Sequence, residues 1–362
     1  MTKARTASEQ VKARSMGAAG SGQGWRAGEE SRIGEVYHGG NIAAARLRFP
    51  DAPSPWLDLS TGINAVPYVP GEISAEAWTR LPEPAAIRAL ESAAAEAFGV
   101  PDAACVVAAP GAQALIQMLP RLLPARRACI LGLTYAEHEA CWLAGGARVE
   151  TVDAPERLAD ADVAVVVNPN NPDGRLLPRE ALIDLAARLG RGSLVVDEAF
   201  MDGEPEAASL APALPRNAVA LRSFGKLYGL AGLRLGFAVA SQELAAGIRC
   251  ALGPWAVSGA AIEIGQRAYA DRPWREATIA HLTRDAMRLD ALLREAGLSV
   301  IGGTPLFRLV ASPQAGNWFE RLARAGILVR PFPARADWLR FGLPGPEADW
   351  QRLEGALRAR RS

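Results

Sequence analysis

Lys226 stands in Ser223-Phe224-Gly225-Lys226-Leu227-Tyr228-Gly229-Leu230-Ala231-Gly232-Leu233-Arg234, a glycine-rich stretch with a hydroxyl three residues before the amine and a guanidinium eight after it. An amine placed this way can condense with a carbonyl, and the flanking hydroxyl and arginine can hold a phosphate. Taken alone, a lysine near a turn is ordinarily a solvated surface charge. Two other segments alter that reading: Asn168-Pro169-Asn170-Asn171-Pro172-Asp173-Gly174 and Val195-Val196-Asp197-Glu198-Ala199-Phe200. Together the three segments match the needs of pyridoxal phosphate: an amine for its aldehyde, an anion for its ring nitrogen and fixed donors for its phosphate. Lysine is otherwise scarce. Lys3 and Lys12 are the only others among 40 basic residues, so Lys226 is the one lysine expected in the folded body.

Each need has a candidate. Lys226 would take the aldehyde and later carry a proton to or from the substrate carbon. Asp197 would pair with the pyridinium nitrogen; read alone, it is a strand-end or helix-cap carboxylate. Asn171 would bond the phenolic oxygen, although Asn-Pro-Asn-Asn-Pro by itself is a turn. Ala109-Pro110-Gly111-Ala112-Gln113-Ala114 follows a strand and opens a helix, so N–H groups at Ala112 and Gln113 can hold a phosphate. Ser223 and Arg234 would complete that cup. Tyr135 could stack on the pyridine ring or belong to the core.

These groups must be positioned by alternating elements. Apolar residues at helical spacing run from Ala85 to Phe98, after Pro82 and Pro84 and before Gly99-Val100-Pro101. Strands are expected at Cys105–Ala108, Ala128–Leu131, Arg148–Val152, Val163–Val167, Ser193–Val196, Val219–Ser223 and Leu235–Val239. Helices are expected from Ala112, from Glu137 and over Arg179–Leu189. Such alternation implies an α/β fold, a mainly parallel sheet covered by helices on both faces, with ligand groups at the carboxyl ends of strands. The suspect segments each follow a strand. A long helical pattern from Pro273 to about Gly297 opens a second, smaller α+β domain.

Composition bounds the rest. The chain has 362 residues, 49% of them hydrophobic, enough for two lobes. Its net charge of +1 gives no case for nucleic acid or an anionic membrane. No apolar run reaches the 18 or more residues needed for a span, and a cytoplasmic enzyme is expected. Cys105, Cys129, Cys141 and Cys250 lack CxxC spacing and read as buried thiols in a reducing compartment, with no metal site. Residues 1–34 lack the apolar core of a secretory signal and read as a disordered extension or a mis-assigned start, with Met16 as a later initiator.

The order of glycine turn, TYxxH, NPNNPDG, DEAF, SFGK and GLRLG resembles fold-type I pyridoxal-phosphate enzymes of the class I/II aminotransferase group, which includes histidinol-phosphate aminotransferase. The likeness covers about Tyr37 to Arg358. His38-Gly39-Gly40-Asn41-Ile42, Leu57-Asp58-Leu59-Ser60-Thr61-Gly62-Ile63-Asn64, Pro254-Trp255-Ala256-Val257-Ser258 and DEAF are similar to the threonine-phosphate decarboxylases of cobalamin synthesis.

The resemblance implies a fold-type I transferase fold: a large three-layer αβα domain over 81–272, a small domain over 273–362, and a 35–80 arm serving the small domain and the site. It implies decarboxylation of L-threonine O-3-phosphate to (R)-1-amino-2-propanol O-2-phosphate by a carbon–carbon lyase, in a homodimer. The alternatives are an aminotransferase for a phosphorylated amino acid such as histidinol phosphate, and a weakly or non-catalytic partner that delivers aminopropanol to a corrinoid-attaching enzyme. By the same resemblance Arg340 grips the substrate α-carboxylate, while Arg330 and His38 are candidates for its phosphate. Four positions depart from the pattern: Gly225 for a serine or threonine, Leu81 for a tyrosine that reaches the partner subunit, Phe200 for a tyrosine, and Asp173 for a threonine.

Overall fold

The structure, a computed structural model, describes residues 38–358; residues 1–34 and Met16 lie outside the described residues. In chain order the strands are β1 (Leu57–Asp58), β2 (Val106–Ala109), β3 (Arg127–Leu131), β4 (Arg148–Val152), β5 (Val163–Val167), β6 (Ser193–Asp197), β7 (Ala218–Ser223) and β8 (Gly236–Ala240). After the long helix Arg272–Glu295 come β9 (Ser299–Thr304), β10 (Phe307–Ala311), β11 (Ile327–Leu328), β12 (Arg330–Phe332) and β13 (Arg335–Gly342). A seven-stranded sheet has the order β2-β8-β7-β6-β5-β3-β4, and β8 alone runs against its neighbours.

The sheet is covered on both faces, so its inner strands are largely apolar instead of alternating; β5, Val-Ala-Val-Val-Val, is buried throughout, while the edge strand β4, Arg-Val-Glu-Thr-Val, is mostly not. Side chains still divide by the period of two. Val165, Val195 and Val219 pack with Leu115, Ile116 and Leu119 of helix Ala112–Leu122. On the opposite face Ala164, Val166 and Leu194 meet Leu182, Leu185 and Leu189 of helix Arg179–Leu189. Beside them, Val106, Ala108 and Phe237 face Leu90 and Ala94 of helix Pro84–Phe98. That helix starts with proline in its first turn and ends at Gly99 in the left-handed region, a preferred stop.

A four-stranded antiparallel sheet, β12-β13-β10-β9, forms the second layer system, with Arg272–Glu295 and Ala315–Arg324 against it. The arm joins the two. β1 pairs with β11, Leu57 opposite Ile327, and Gly342 N–H donates to the Leu59 carbonyl at 2.7 Å. Further along, Asn64 N–H reaches the Lys226 carbonyl at 3.0 Å and Tyr68 N–H the Tyr228 carbonyl at 2.9 Å.

Several expectations shift. Residues Ala103–Cys105 make a 3-10 turn capped by Asp102, so the first strand of the large sheet begins one residue late. Helices Gln242–Leu252 and Gly259–Ala270 lie outside the expected set, although Ser241 and Ser258 are N-caps whose hydroxyls accept from Leu244 and Ala261. The thiols are not uniformly buried: Cys129 is, Cys105 and Cys141 are partly so, and Cys250 is exposed.

Candidate active site

One cavity of about 310 Å³ opens where β5, β6 and β7 end. It is lined by Lys226, Asp197, Asn171, Ser223, Arg234, Ala112, Gln113, Tyr135, Arg340, Arg330 and His38, the residues singled out from the sequence. Its size falls at the lower end for ligand pockets.

Lys226 sits in the short helical turn that follows β7, partly buried, its Nζ 5.2 Å from the centroid of the Phe200 ring. Burial first, and then the positive charge of Arg340, lower the Lys226 pKa to about 8. Such an amine is still mostly protonated near neutral pH, but its neutral, nucleophilic fraction is far larger than that of an ordinary lysine. The arm also holds this turn: the Asn64 amide nitrogen donates to the Leu227 carbonyl at 2.9 Å.

Asp197 closes β6 and is buried. Its Oδ1 accepts from Ala199 N–H at 3.0 Å and its Oδ2 from His138 Nε2 at 2.9 Å. An ionised carboxylate only accepts, so this His138 nitrogen carries a proton. His138 is itself 1% exposed and belongs to helix Glu137–Ala144. It is the histidine of the TYxxH motif, and it fixes the carboxylate that faces the cavity.

Gly111 precedes helix Ala112–Leu122 with φ +86°, and no side chain caps the helix. A Cβ at Gly111 would lie 2.8 Å from Arg234 Nη2, so the missing side chain makes room for the guanidinium. Open N–H groups at a helix start, an arginine and the Ser223 hydroxyl make a cradle suited to a phosphate. Gly225 is equally constrained: a Cβ there would meet Ala231 Cα at 2.6 Å. The serine or threonine of the resembling family has no room here, which accounts for that departure.

Arg340, on β13, is 2% exposed. Its Nη1 donates to Asn171 Oδ1 at 2.6 Å and its Nη2 to the Ser60 carbonyl at 2.8 Å, while Nε is buried with no partner among the described residues. The first bond commits the Asn171 oxygen and leaves its amide N–H groups as donors. Arg330 is directly opposite Arg340 in the β12–β13 register. Like charges across a ladder repel, and burial and Arg330 together push the Arg340 pKa down. A guanidinium keeps its proton regardless, so this end of the cavity favours an anion. Among the lining residues the cations are Lys226, Arg234, Arg330 and Arg340, against the single carboxylate of Asp197.

Phe200 stacks edge-on to Phe307 at 5.1 Å, and the Arg340 guanidinium lies 5.0 Å from the Phe307 ring. Asp173 acts locally, where its Oδ1 accepts from Asn170 Nδ2 at 2.8 Å and Arg175 N–H at 2.9 Å and so staples the Asn-Pro loop. Tyr135 donates to Gln113 Oε1 at 3.0 Å. Its hydroxyl pKa is raised, by burial and then by Glu137. Sequence reasoning missed Asn64, Glu137 and His138.

The residues thus fit a phosphorylated pyridine aldehyde: amine, buried carboxylate and phosphate cradle, with a buried guanidinium beside them that keeps one nitrogen unpartnered among the described residues. The histidinol-phosphate aminotransferase of Sinorhizobium meliloti, solved in complex with pyridoxal-5'-phosphate, superposes with a TM-score of 0.76 at 20% identity, over 90% of this chain and 95% of that one. It shows that the fold is shared. Two proteins named threonine-phosphate decarboxylase are similar in sequence. That of a Sinorhizobium species is 43% identical over 327 residues, and that of Pseudomonas aeruginosa 41%; each match covers 89% of this chain and 97% of the relative. The profile described as aminotransferase class I and II matches residues 56–357. A shared fold, end-to-end sequence identity and a match over most of the length converge, and the chain belongs to the aminotransferase class I and II family.

Proposed function

We propose that the protein is a pyridoxal-phosphate-dependent decarboxylase that converts L-threonine O-3-phosphate to (R)-1-amino-2-propanol O-2-phosphate for cobalamin synthesis. The observation that carries this reading is the 43% and 41% identity, across 89% of the chain, to two proteins named threonine-phosphate decarboxylase.

When bound, the cofactor supplies an aldehyde for the amine and a protonated ring that draws electrons from the substrate α-carbon. In this reading Asp197, steadied by His138, holds the proton on the ring nitrogen. Asn171 donates to the phenolic oxygen through the amide group that Arg340 leaves available. Ser223, Arg234 and the N–H groups of Ala112 and Gln113 bind the cofactor phosphate, and Tyr135 packs against the ring. Arg340 binds the α-carboxylate, while Arg330 and His38 take the substrate phosphate. These grips would fix the orientation of the substrate, and orientation selects which α-carbon bond breaks. The carbon–carboxylate bond breaks, CO2 leaves, and Lys226 Nζ delivers a proton to the α-carbon. No acceptor is consumed, since nothing is oxidised.

The division into arm (35–80), large domain (81–272) and small domain (273–362) is part of this proposal, supported by the separate sheets and the β1–β11 pairing. So is a homodimer. Trp78, Leu81 and Trp255 are 70%, 65% and 54% exposed, near a groove of about 260 Å³ lined by Pro82, Ile87 and Trp255. Such a surface suits a second copy. The proposed compartment is the cytoplasm, supported by free cysteines and by described helices none of which is long and apolar enough to cross a membrane. A corrinoid-attaching enzyme is the proposed recipient of the product.

The test is to incubate cofactor-loaded protein with L-threonine O-3-phosphate, following CO2 and amine with and without 2-oxoglutarate. CO2 release without a keto acid is expected. Turnover that requires 2-oxoglutarate would make it an aminotransferase instead, and no turnover would favour a delivery role.

A further inference from the structure

Glu137 does not line the cavity, yet both of its oxygens are used at the cavity edge. Oε1 lies 2.8 Å from His38 Nε2, and Oε2 accepts from Gln113 Nε2 at 2.7 Å. Gln113 in turn accepts from the Tyr135 hydroxyl, and the His38 and Tyr135 rings are 5.8 Å apart. The Glu137 side chain is 16% exposed against 43% for His38, so a partly sheltered carboxylate holds a more exposed imidazole. The backbone beside His38 is fixed independently, because Gly40 N–H donates to Ser60 Oγ at 2.7 Å and Ser60 Oγ donates to Asp58 at 2.6 Å. With Nε2 committed to Glu137, Nδ1 is the ring nitrogen left for a ligand, and it donates when the ring carries both protons, the form an adjoining carboxylate and phosphate would both favour.

We propose that Glu137 is a positioning residue for substrate recognition: it fixes His38 through Nε2 so that Nδ1 donates to a phosphoryl oxygen, and thereby selects phosphorylated over unphosphorylated amino acids. This deepens the function proposed above and rests on its assignment of His38 to the substrate phosphate. The pairing is chemically consistent. An imidazolium between a carboxylate and a phosphate donates to both, and each bond is charge-assisted. The carboxylate has both oxygens occupied and stays off the cavity wall, so it supports the histidine without itself meeting the incoming anion.

The test uses the cofactor-loaded protein and its Glu137→Gln and His38→Gln variants, titrated by calorimetry with L-threonine O-3-phosphate and with L-threonine. Glutamine keeps the shape of Glu137 but removes its charge and one of its two acceptor oxygens, which can stay with Gln113 while the contact to His38 is lost. Glu137→Gln is expected to bind the phosphorylated ligand about tenfold more weakly, the difference between a charge-assisted and a neutral contact. Its affinity for L-threonine and its cofactor absorbance should stay as in the parent, and the kinetic loss should appear in KM. If His38→Gln weakens phosphorylated-ligand binding and Glu137→Gln does not, the proposal falls and the His38 assignment stands. If neither variant weakens it, that assignment falls as well. Equal weakening for both ligands, or loss of cofactor absorbance, would mean that Glu137 serves Gln113 and Tyr135 instead and would overturn the proposal.

Discussion

Restoring the family's hydroxyl beside the lysine, Gly225→Ser, should harm the protein. A reading based on sequence pattern alone expects the opposite, since serine would return a missing contact. In the structure a Cβ at this position would lie 2.6 Å from Ala231 Cα, 3.2 Å from Ala231 N and 3.3 Å from Ala231 Cβ. Two of the three obstacles are backbone, and they begin the turn Ala231–Leu233, which ends at Arg234 with φ +55°. Overpacking of this kind costs roughly 1–3 kcal/mol. If the turn yields, Arg234 moves away from Gly111 and cofactor affinity falls, by about 5- to 150-fold if the whole cost appears there. If the turn holds, the strain remains in the fold and the melting temperature drops by about 1–2 °C for each kcal/mol in a chain of this length. Absorbance titration of the apo protein with pyridoxal phosphate and a thermal melt of the same sample measure the two shares. Tighter cofactor binding with an unchanged Tm would refute the reasoning.

Other expectations follow from the same site. The rate at which apo protein captures the cofactor should rise about tenfold per pH unit and level off above pH 8, because Lys226 is protonated and unreactive below its lowered pKa of about 8; an unshifted lysine would keep climbing to about pH 10.4. Lys226→Ala should abolish the visible absorbance of the bound cofactor while far-UV circular dichroism is retained. Arg340→Lys loses the fork that spans Asn171 and Ser60, and kcat/KM should fall roughly 100-fold, on the scale of two charged hydrogen bonds; a fall under threefold would remove Arg340 from substrate binding. His138→Leu removes the Oδ2 partner of buried Asp197 and leaves it the Ala199 N–H bond alone, costing roughly 1–3 kcal/mol in the apo protein. The fall in Tm should be smaller with cofactor bound, since the pyridinium supplies a new partner, and equal falls would contradict that pairing.

Much of this was legible because strands and their following loops carry local signals. The runs 148–152 and 163–167 are observed with the expected bounds: the second is uninterrupted apolar sequence, and in the first β-branched Val149, Thr151 and Val152 follow the glycines at 145 and 146. The cavity residues were legible for a related reason: glycine, proline and asparagine at strand ends mark the loops where parallel sheets gather ligands. What escaped the sequence is long-range. Asn64 meets Leu227, and His138 meets Asp197 across 59 positions, contacts that no local pattern encodes. Gly225 looked like a lost hydroxyl because the nearness of Ala231 exists only after folding. Helices Gln242–Leu252 and Gly259–Ala270 could have been found from their serine caps.

Arg340 also bears on how the protein becomes active. Its two bonds span 169 and 280 residues of sequence, linking β13 to the loop after β5 and to the arm. Closing contacts so distant in sequence is slow relative to forming local ones. Either sheet can therefore form before this junction does, and an intermediate in which both are present but not yet docked would have native-like secondary structure and an incomplete carboxylate grip. Recovery of activity on refolding should then lag behind recovery of circular dichroism. A fragment ending before β13 would retain Lys226, Arg234, Arg330 and His38 in its sequence but lack Arg340, the residue proposed to bind the α-carboxylate.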